Sequence, residues 1–366
     1  MNHGGGVKIA TVLDKYRGVG PGFDFMRLSL AVLIFYAHTK FALGAFDTAG
    51  LFQETPMAPG TTAPLPVALP LLSEIKARLY VLAVPMFFAL SGFLVTGSAL
   101  RLGSVTRFLQ FRVLRILPAL LVEISLSALL LGLLFSTFSL REYLSSPMFW
   151  RYFGNVVGLN WFWLPGVFSQ NPSALINVNL WTLPAELDCY LIMAVLMGTR
   201  IVRHRNLFLA GFCSATLVLI VASLGTGYGV RPSVWSIPAI VYCFFTGVVF
   251  FQWREKIPLN RAWLLISVLM VILTFRTARF CFLVPIPLTY IVVYLGCSAR
   301  LAMPFMKGRD YSYGIYLYGF PITQAVVATD PGVDRWALFP VALAVTLLFA
   351  ALSWHWIEKP FLRLKR

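Results

Sequence analysis

An apolar stretch, residues 23–46, places the strongest constraint on how this chain can fold. Its sequence, FDFMRLSLAVLIFYAHTKFALGAF, is typical of a membrane-spanning helix, yet it contains Asp24, Arg27 and His38. Arg27 and His38 are eleven residues apart, about three helical turns plus about 20°, so one helix face should carry both, about 16 Å apart along the axis. Asp24 lies three residues before Arg27 and can pair with its guanidinium.

Ionisable groups at membrane depth cost several kcal/mol unless they are paired or hydrated, so they indicate a functional site by default. The structural alternative is an arginine that reaches the interface and a buried histidine bonded to a neighbouring helix. Two such residues on one stripe of an otherwise apolar helix favour the functional interpretation.

Composition places the whole chain in the membrane class. Of its 366 residues 59% are hydrophobic and only 12% are charged, about half the charged fraction of soluble domains. We therefore expect an all-α, polytopic membrane bundle. About ten transmembrane helices are predicted, at residues 23–45, 81–100, 116–136, 180–199, 206–224, 234–251, 262–276, 279–298, 310–328 and 336–357.

The distribution of positive charge predicts the orientation of these spans. An even number of spans puts both termini on one side, and 20 of the 30 lysines and arginines fall in the segments on that side. Lys and Arg accumulate in cytoplasmic loops, so both termini are predicted to be cytoplasmic. The net charge of +16 is then a topology signal, and no nucleic-acid partner is needed to explain it.

The chain divides into a cytoplasmic segment 1–22, a membrane domain 23–357 and a cytoplasmic tail 358–366. Residues 1–22 lack the apolar run of a signal peptide, so the first span should stay uncleaved. The five cysteines show no CxxC spacing and are expected to be small core residues, with neither disulfide nor metal site. They are Cys189, Cys213, Cys243, Cys281 and Cys297.

Two predicted outer segments are long. Residues 46–80 are rich in proline, which resists regular structure. Residues 137–179 interleave aromatic rings with amides, a mixture suited to sugar faces and hydroxyls; an interfacial aromatic belt or a partly re-entrant segment explains it equally. The amides are Asn155, Asn160, Asn171, Asn177 and Asn179.

Three further polar groups are candidates for chemistry. Arg112 and Arg115 lie on one helix face before the third span and suit phosphate oxygens, or they are ordinary cytoplasmic charges. Glu186, in LWTLPAELDCY, can orient a hydroxyl or assist proton transfer, or it is a first-turn acid. The groups at SYGIYL and IEKP, which include Glu358, are expected mainly to anchor the chain at the interface.

These pieces together resemble the acyltransferase-three family of integral membrane acyltransferases, which includes bacterial O-antigen and exopolysaccharide O-acetyltransferases. The resemblance covers residues 23–361. Its motifs are the Arg27–His38 spacing, FFALSGFL at 87–94, RVLRILP at 112–118, LWTLPAELDCY at 180–190, SYGIYL at 312–317 and IEKP at 357–360.

The resemblance implies functional roles for specific residues. It assigns essential positions to Arg27, His38, Arg112 and Arg115, and a recurrent polar site to Glu186. One departure is that Gly319 stands where many relatives have a histidine in the ninth span.

From the residues and the resemblance, we expect a bacterial inner-membrane O-acyltransferase without a metal. Cytoplasmic acetyl-CoA would donate its acyl group to a hydroxyl of a cell-surface polysaccharide or its lipid-linked precursor. Arg112 and Arg115 would hold CoA phosphates, and Arg27, supported by Asp24, would sit near the thioester. His38 would act as general base or transient acyl carrier, two roles that stay open.

Two other functions are compatible with the same sequence features. A transporter or flippase of a lipid-linked glycan also needs many spans and buried charges. A non-catalytic assembly partner would leave Arg27 and His38 unexplained. The acceptor and the length of the acyl chain are not predicted.

Overall fold

A computed structural model describes residues 7–44, 71–226, 236–274, 282–306 and 308–364. Most of the proline-rich segment 46–80 lies outside these residues, as does Cys281. Helices dominate the described part of the chain, where extended pairing is limited to two isolated bridges, Lys8 with Pro258 and Ser136 with Val167.

The helices follow the apolar segments of the sequence. In chain order they are α1 (Ile9–Lys15), α2 (Phe23–Ala42), α3 (Leu71–Leu102), α4 (Val105–Leu126), α5 (Leu140–Ser145), α6 (Pro147–Tyr152), α7 (Leu183–Gly198), α8 (Arg205–Thr226), α9 (Ile237–Gln252), α10 (Arg261–Thr274), α11 (Pro285–Gly296), α12 (Ser312–Thr329) and α13 (Arg335–Ser353).

Two helices continue past a π-helical turn. After α4 come Ser127–Leu131 and a last turn Gly132–Phe135; after α13 come Trp354–Glu358 and Lys359–Leu362. A π-turn rotates the side chains that follow it relative to a regular helix and is common at functional sites. Glu358, the last residue of the second π-turn, is thereby turned into the bundle and only 2% exposed.

The all-helical class is confirmed, and each predicted span coincides with a helix. Within the described ranges, five helical stretches are long and apolar enough to cross a membrane, which supports an integral membrane protein: Val81–Leu102, Val105–Phe135, Val178–Gly198, Arg205–Ala222 and Arg335–Leu362. The full number of ten spans and the cytoplasmic location of both termini stay predictions.

The centre of the bundle depends on close packing between α3 and α9. A Cβ on Gly92 would collide with the backbone of Phe244, and one on Gly247 with the backbone of Ala89. The two glycines therefore permit close approach of the helices, because two bare backbones can touch where any side chain would separate them.

Most described cysteines meet their expectation. Cys189, Cys243 and Cys297 are buried, but the expectation is wrong for Cys213, which is exposed on α8. None of these four forms a disulfide.

Candidate active site

One face of α2 lines a cavity of about 320 Å³ inside the bundle. The α2 residues in its wall are Arg27, Ala31, Ile34, Phe35 and His38. Steps of three and four residues mark one stripe of a helix, so the prediction that Arg27 and His38 share a face is confirmed.

Other helices bring the remaining predicted residues to the same cavity. Arg112 and Arg115 enter from α4, and Glu186 enters from α7. The rest of the wall is mostly aliphatic and aromatic, from α3, α9 and α12. The cavity therefore combines an apolar body with a few convergent polar groups, the usual composition of a small-molecule site.

A chain of ion pairs runs along one side of this cavity. Arg27 donates through Nη2 to Asp24 Oδ1 (2.6 Å) and through Nη1 to Asp310 Oδ2 (2.8 Å). Arg115 donates to the same Asp310 oxygen (2.6 Å) and to Glu358 Oε2 (3.2 Å). The predicted pairing of Asp24 with Arg27 is confirmed, and one carboxylate joins the two arginines.

Asp310 lies in the segment that precedes α12. Its other oxygen, Oδ1, accepts hydrogen bonds from the backbone N–H and the hydroxyl of Ser312. Both oxygens of Asp310 are therefore engaged, and the carboxylate holds both guanidinium groups by charge-assisted bonds.

Arg112 has a different environment from Arg115. Its guanidinium lies 5.7 Å from the ring centroid of Phe108 and 5.6 Å from that of Tyr190. Among the described residues no carboxylate lies within salt-bridge distance of it, and its buried Nε has no hydrogen-bond partner there. Cation–π contacts thus orient this charge without neutralising it.

His38 is surrounded mainly by apolar groups. Its ring meets that of Phe320 edge-on at 6.0 Å, and its buried Nδ1 has no hydrogen-bond partner among the described residues. A neutral imidazole carries one donor and one acceptor nitrogen. Because Nδ1 has no hydrogen-bond partner in the described part of the chain, the protein there does not fix the tautomer through this nitrogen.

Gly319 faces this part of the bundle. A Cβ at Gly319 would approach Phe35 Cδ2 to 2.6 Å, and Phe35 lines the cavity beside His38. The departure noted in the sequence therefore has a packing consequence, since the ring of Phe35 fills the space that a larger side chain at position 319 would need.

Glu186 is held by Tyr190, whose hydroxyl donates to Glu186 Oε1. No hydrogen bond joins Glu186 to His38 in the described part of the chain. Glu186 thus faces the same cavity as His38 and is bonded to Tyr190 rather than to the imidazole.

Several C-terminal groups expected to be interface anchors lie inside the bundle instead. The expectation is wrong for Glu358, which is buried and also accepts from the Ser353 hydroxyl (3.2 Å). It is wrong for Tyr313 and Tyr316, which line the cavity; Tyr313 lies over Arg115 with 5.5 Å between guanidinium and ring centroid. Trp356 is 74% exposed, as an anchor would be.

Amides of the predicted outer segment 137–179 form hydrogen bonds within the protein. Asn177 Nδ2 donates to Glu123 Oε1 (2.9 Å) and to the carbonyl of Leu317 (2.9 Å). Asn155 and Asn179 also bond to backbone carbonyls. The amide nitrogens of these three residues therefore bond within the protein, and Asn179 also lines the cavity.

Sequence reasoning missed Asp310 as a site residue and underrated Glu358. A signal existed, since both are carboxylates at the ends of apolar helices and the chain has only 14 acidic residues. No group of histidines, cysteines and carboxylates able to hold a metal occurs among the described residues.

The chain is similar to known proteins over most of its length. A family model described as an acyltransferase domain matches residues 21–355. The chain is 31% identical over 305 residues to a protein named "O-acetyl transferase" from Shigella phage Sf6, covering 77% of this chain and 84% of that protein. It is 28% identical over 322 residues to "Nodulation protein 10" from Rhizobium leguminosarum bv. viciae, covering 77% and 82%. No solved structure matches the chain.

Proposed function

The chain belongs to the acyltransferase-three family, and from this premise we propose that it moves an acetyl group from cytoplasmic acetyl-CoA to a hydroxyl of a surface polysaccharide or its lipid-linked precursor. The acetyl group and an oxygen acceptor are suggested by the name of the phage relative, an O-acetyl transferase. The sugar acceptor is what the resemblance to the family implies. The proposed location is a bacterial inner membrane, with both termini in the cytoplasm.

The observation that carries the proposal is that one cavity contains His38 together with the arginines of α2 and α4. An acyl transfer from CoA needs cations for the phosphates of the donor and a base for the hydroxyl of the acceptor. The eleven residues between Arg27 and His38 separate these two tasks by about 16 Å along the helix axis. A donor bound at the Arg27 end would therefore present its thioester toward His38.

The proposed reaction is a direct transfer with His38 as general base. The ring nitrogen of His38 takes the proton of the acceptor hydroxyl while the hydroxyl oxygen attacks the thioester carbonyl carbon. The C–O bond forms, the C–S bond breaks, and the thiolate leaves with the electron pair of that bond and takes up the proton from the imidazolium. General-base assistance of this kind contributes about 10²- to 10⁴-fold.

A second route uses the same residue as acyl carrier. The His38 nitrogen would attack the thioester first, form an acetyl-imidazole and release the thiol; the hydroxyl would then attack that intermediate and free the imidazole. The unbonded Nδ1 is compatible with both routes, so they stay alternatives.

The charged side of the cavity has a supporting role in this proposal. Arg112 keeps its charge available and would contact donor phosphates. Arg115 and Arg27 share Asp310, so both act as a fixed positive wall whose geometry depends on that carboxylate. Glu186, held by Tyr190, would orient the acceptor hydroxyl.

The test decides whether this protein is an acyltransferase or a transporter of a lipid-linked glycan. Purified protein in detergent should slowly hydrolyse acetyl-CoA, with thiol release as the measurement, and should acetylate the glycan when it is supplied. The His38→Ala variant is the control for contaminating activity. A wild-type protein that releases no thiol yet moves the glycan across a vesicle membrane would refute the proposal. Mass spectrometry of surface polysaccharide from a deletion strain would identify the acceptor.

A further inference from the structure

Four guanidinium groups line the cavity, and they fall into two kinds. Arg27 and Arg115 are engaged by carboxylates. Arg112 and Arg101 have no carboxylate within salt-bridge distance among the described residues. A polyanionic ligand gains most from cations that are not already neutralised, because a paired guanidinium must first give up its partner.

Arg101 lies at the end of the cavity where α3 finishes. A Cβ placed on Gly18 or on Gly97 would lie 3.4 Å from Arg101 Nη1. This nitrogen therefore lies between two residues without side chains. Gly18 has a φ of +85°, a conformation that favours glycine. The backbone before α2 therefore passes close to the guanidinium and leaves it open to the cavity.

Arg101 and Arg112 belong to the same end of the bundle. Only Gly103 and Ser104 separate α3 from α4, so the last turn of α3 and the first turns of α4 are neighbours. Arg112 is seven residues into α4, about 10 Å along its axis. Two unpaired cations are thus spaced along the cavity, as the separate phosphate groups of a nucleotide-containing thioester would require.

We propose that Arg101 is a further substrate-binding residue, which with Arg112 forms the phosphate site for the nucleotide part of the acyl donor. This inference rests on the proposed function and deepens it. Arg115 is then a positioning residue that shares Asp310 with Arg27. Fork-shaped guanidinium groups bind phosphate oxygens in pairs, so each contact contributes specificity as well as affinity.

The excess of positive charge predicted for this segment does not by itself explain why Arg101 lines the cavity. Arg107 lies in the same short basic segment and is exposed like Arg101, but it does not line the cavity. Both residues contribute equally to the positive charge of that segment. They therefore form a matched pair, in which each Arg→Ala substitution removes one charge and only one substitution alters the cavity.

The experiment measures KM for two acyl donors with the full-length protein in detergent. Acetyl-CoA carries the phosphates, whereas S-acetylpantetheine has the same thioester and none of them. Arg101→Ala should raise KM for acetyl-CoA about tenfold or more and leave KM for S-acetylpantetheine within about twofold. Arg107→Ala should change neither value.

Each outcome bears on a different statement. An equal loss with both donors, or no loss with acetyl-CoA, overturns the role of Arg101 while the proposed function stands. A loss confined to acetyl-CoA supports it, and acetyl-dephospho-CoA then shows whether the 3′-phosphate or the pyrophosphate is bound. A wild-type protein that uses neither donor refutes the proposed function instead.

Discussion

The two ends of the cavity solve the problem of buried polarity in opposite ways. At the Arg27 end, two guanidinium groups share Asp310 and are flanked by Asp24 and Glu358. At the other end His38 has aromatic neighbours, and its Nδ1 has no partner among the described residues. Permanent charges need compensation inside a membrane protein, whereas an imidazole can stay neutral and remain free to exchange a proton.

This difference predicts different consequences for substitutions at the two ends. Changes at the Arg27 end should alter donor binding and stability together, because its side chains hold one another in place. Changes at His38 should alter the chemical step alone.

The largest effect is expected for His38→Ala. Transfer should fall about a thousandfold, since a general base or acyl carrier is removed, whereas thermal stability and donor affinity should stay close to wild type. The measurement is acetyl transfer per unit of inserted protein, with His204→Ala, an exposed histidine, as control. Activity near that of wild type would remove His38 from the mechanism.

Asp310→Asn should have the next largest effect. The neutral amide leaves Arg27 and Arg115 without their shared charge, so the wall they form should shift, and a displacement of about 1 Å can reduce a rate about a hundredfold. The free energy of unfolding should fall by roughly 1–3 kcal/mol. Activity assays and thermal unfolding in detergent test both effects.

The matched control for Asp310→Asn is Asp330→Asn, at the exposed far end of the same helix, where the carboxylate accepts only a turn N–H. If both variants behaved alike, the shared carboxylate would have no special role, and the contrast between the two cavity ends would lose its basis.

Arg27→Lys should reduce transfer about tenfold or more without loss of expression. An ammonium keeps the charge but cannot bridge Asp24 and Asp310 with a planar fork, and its flexible stem can reach out to water. The control is Arg205→Lys, at an exposed pair with 3.8 Å between Arg205 Nη1 and Glu255 Oε2, where little should change. Arg27→Lys activity within twofold of wild type would show that charge alone suffices.

The smallest effect separates the two arginines of α4. Arg112→Ala should weaken acetyl-CoA binding about tenfold with little change in thermal stability, because its charge is not paired. Arg115→Ala should lower thermal stability with little change in acetyl-CoA binding, because it leaves the negative charges of Asp310 and Glu358 less compensated. Calorimetric titration and thermal unfolding on the same preparations measure both. If the two variants behaved alike, Arg112 and Arg115 would act as one cationic pair, as their spacing in the sequence predicts.

Periodicity allowed part of the site to be predicted from the sequence. The shared face of Arg27 and His38 and the pairing of Asp24 with Arg27 depend only on helix geometry within a few turns. The same holds for Arg112 and Arg115, which both reach the cavity. The helical class followed from apolar composition.

Contacts distant in sequence were beyond such reasoning. Asp310 lies 283 residues from Arg27 and 195 from Arg115, and no local pattern links them. Glu358 was predicted to be an interface residue because it stands beside Lys359, but it is the last residue of a π-helical turn and its side chain is buried. The amides of residues 155, 177 and 179 looked like ligand groups, yet buried backbone carbonyls take their hydrogen bonds.

The sequence by itself determined which residues are costly to bury and on which helix face they lie, because hydropathy and a 3.6-residue repeat are local properties. Only the tertiary structure decided which of those charges are neutralised. Among the described residues, helix packing brings Asp310 and Glu358 to Arg115 but no carboxylate within salt-bridge distance of Arg112 or Arg101. Ion pairing acts over a few ångströms in space, whatever the separation along the chain.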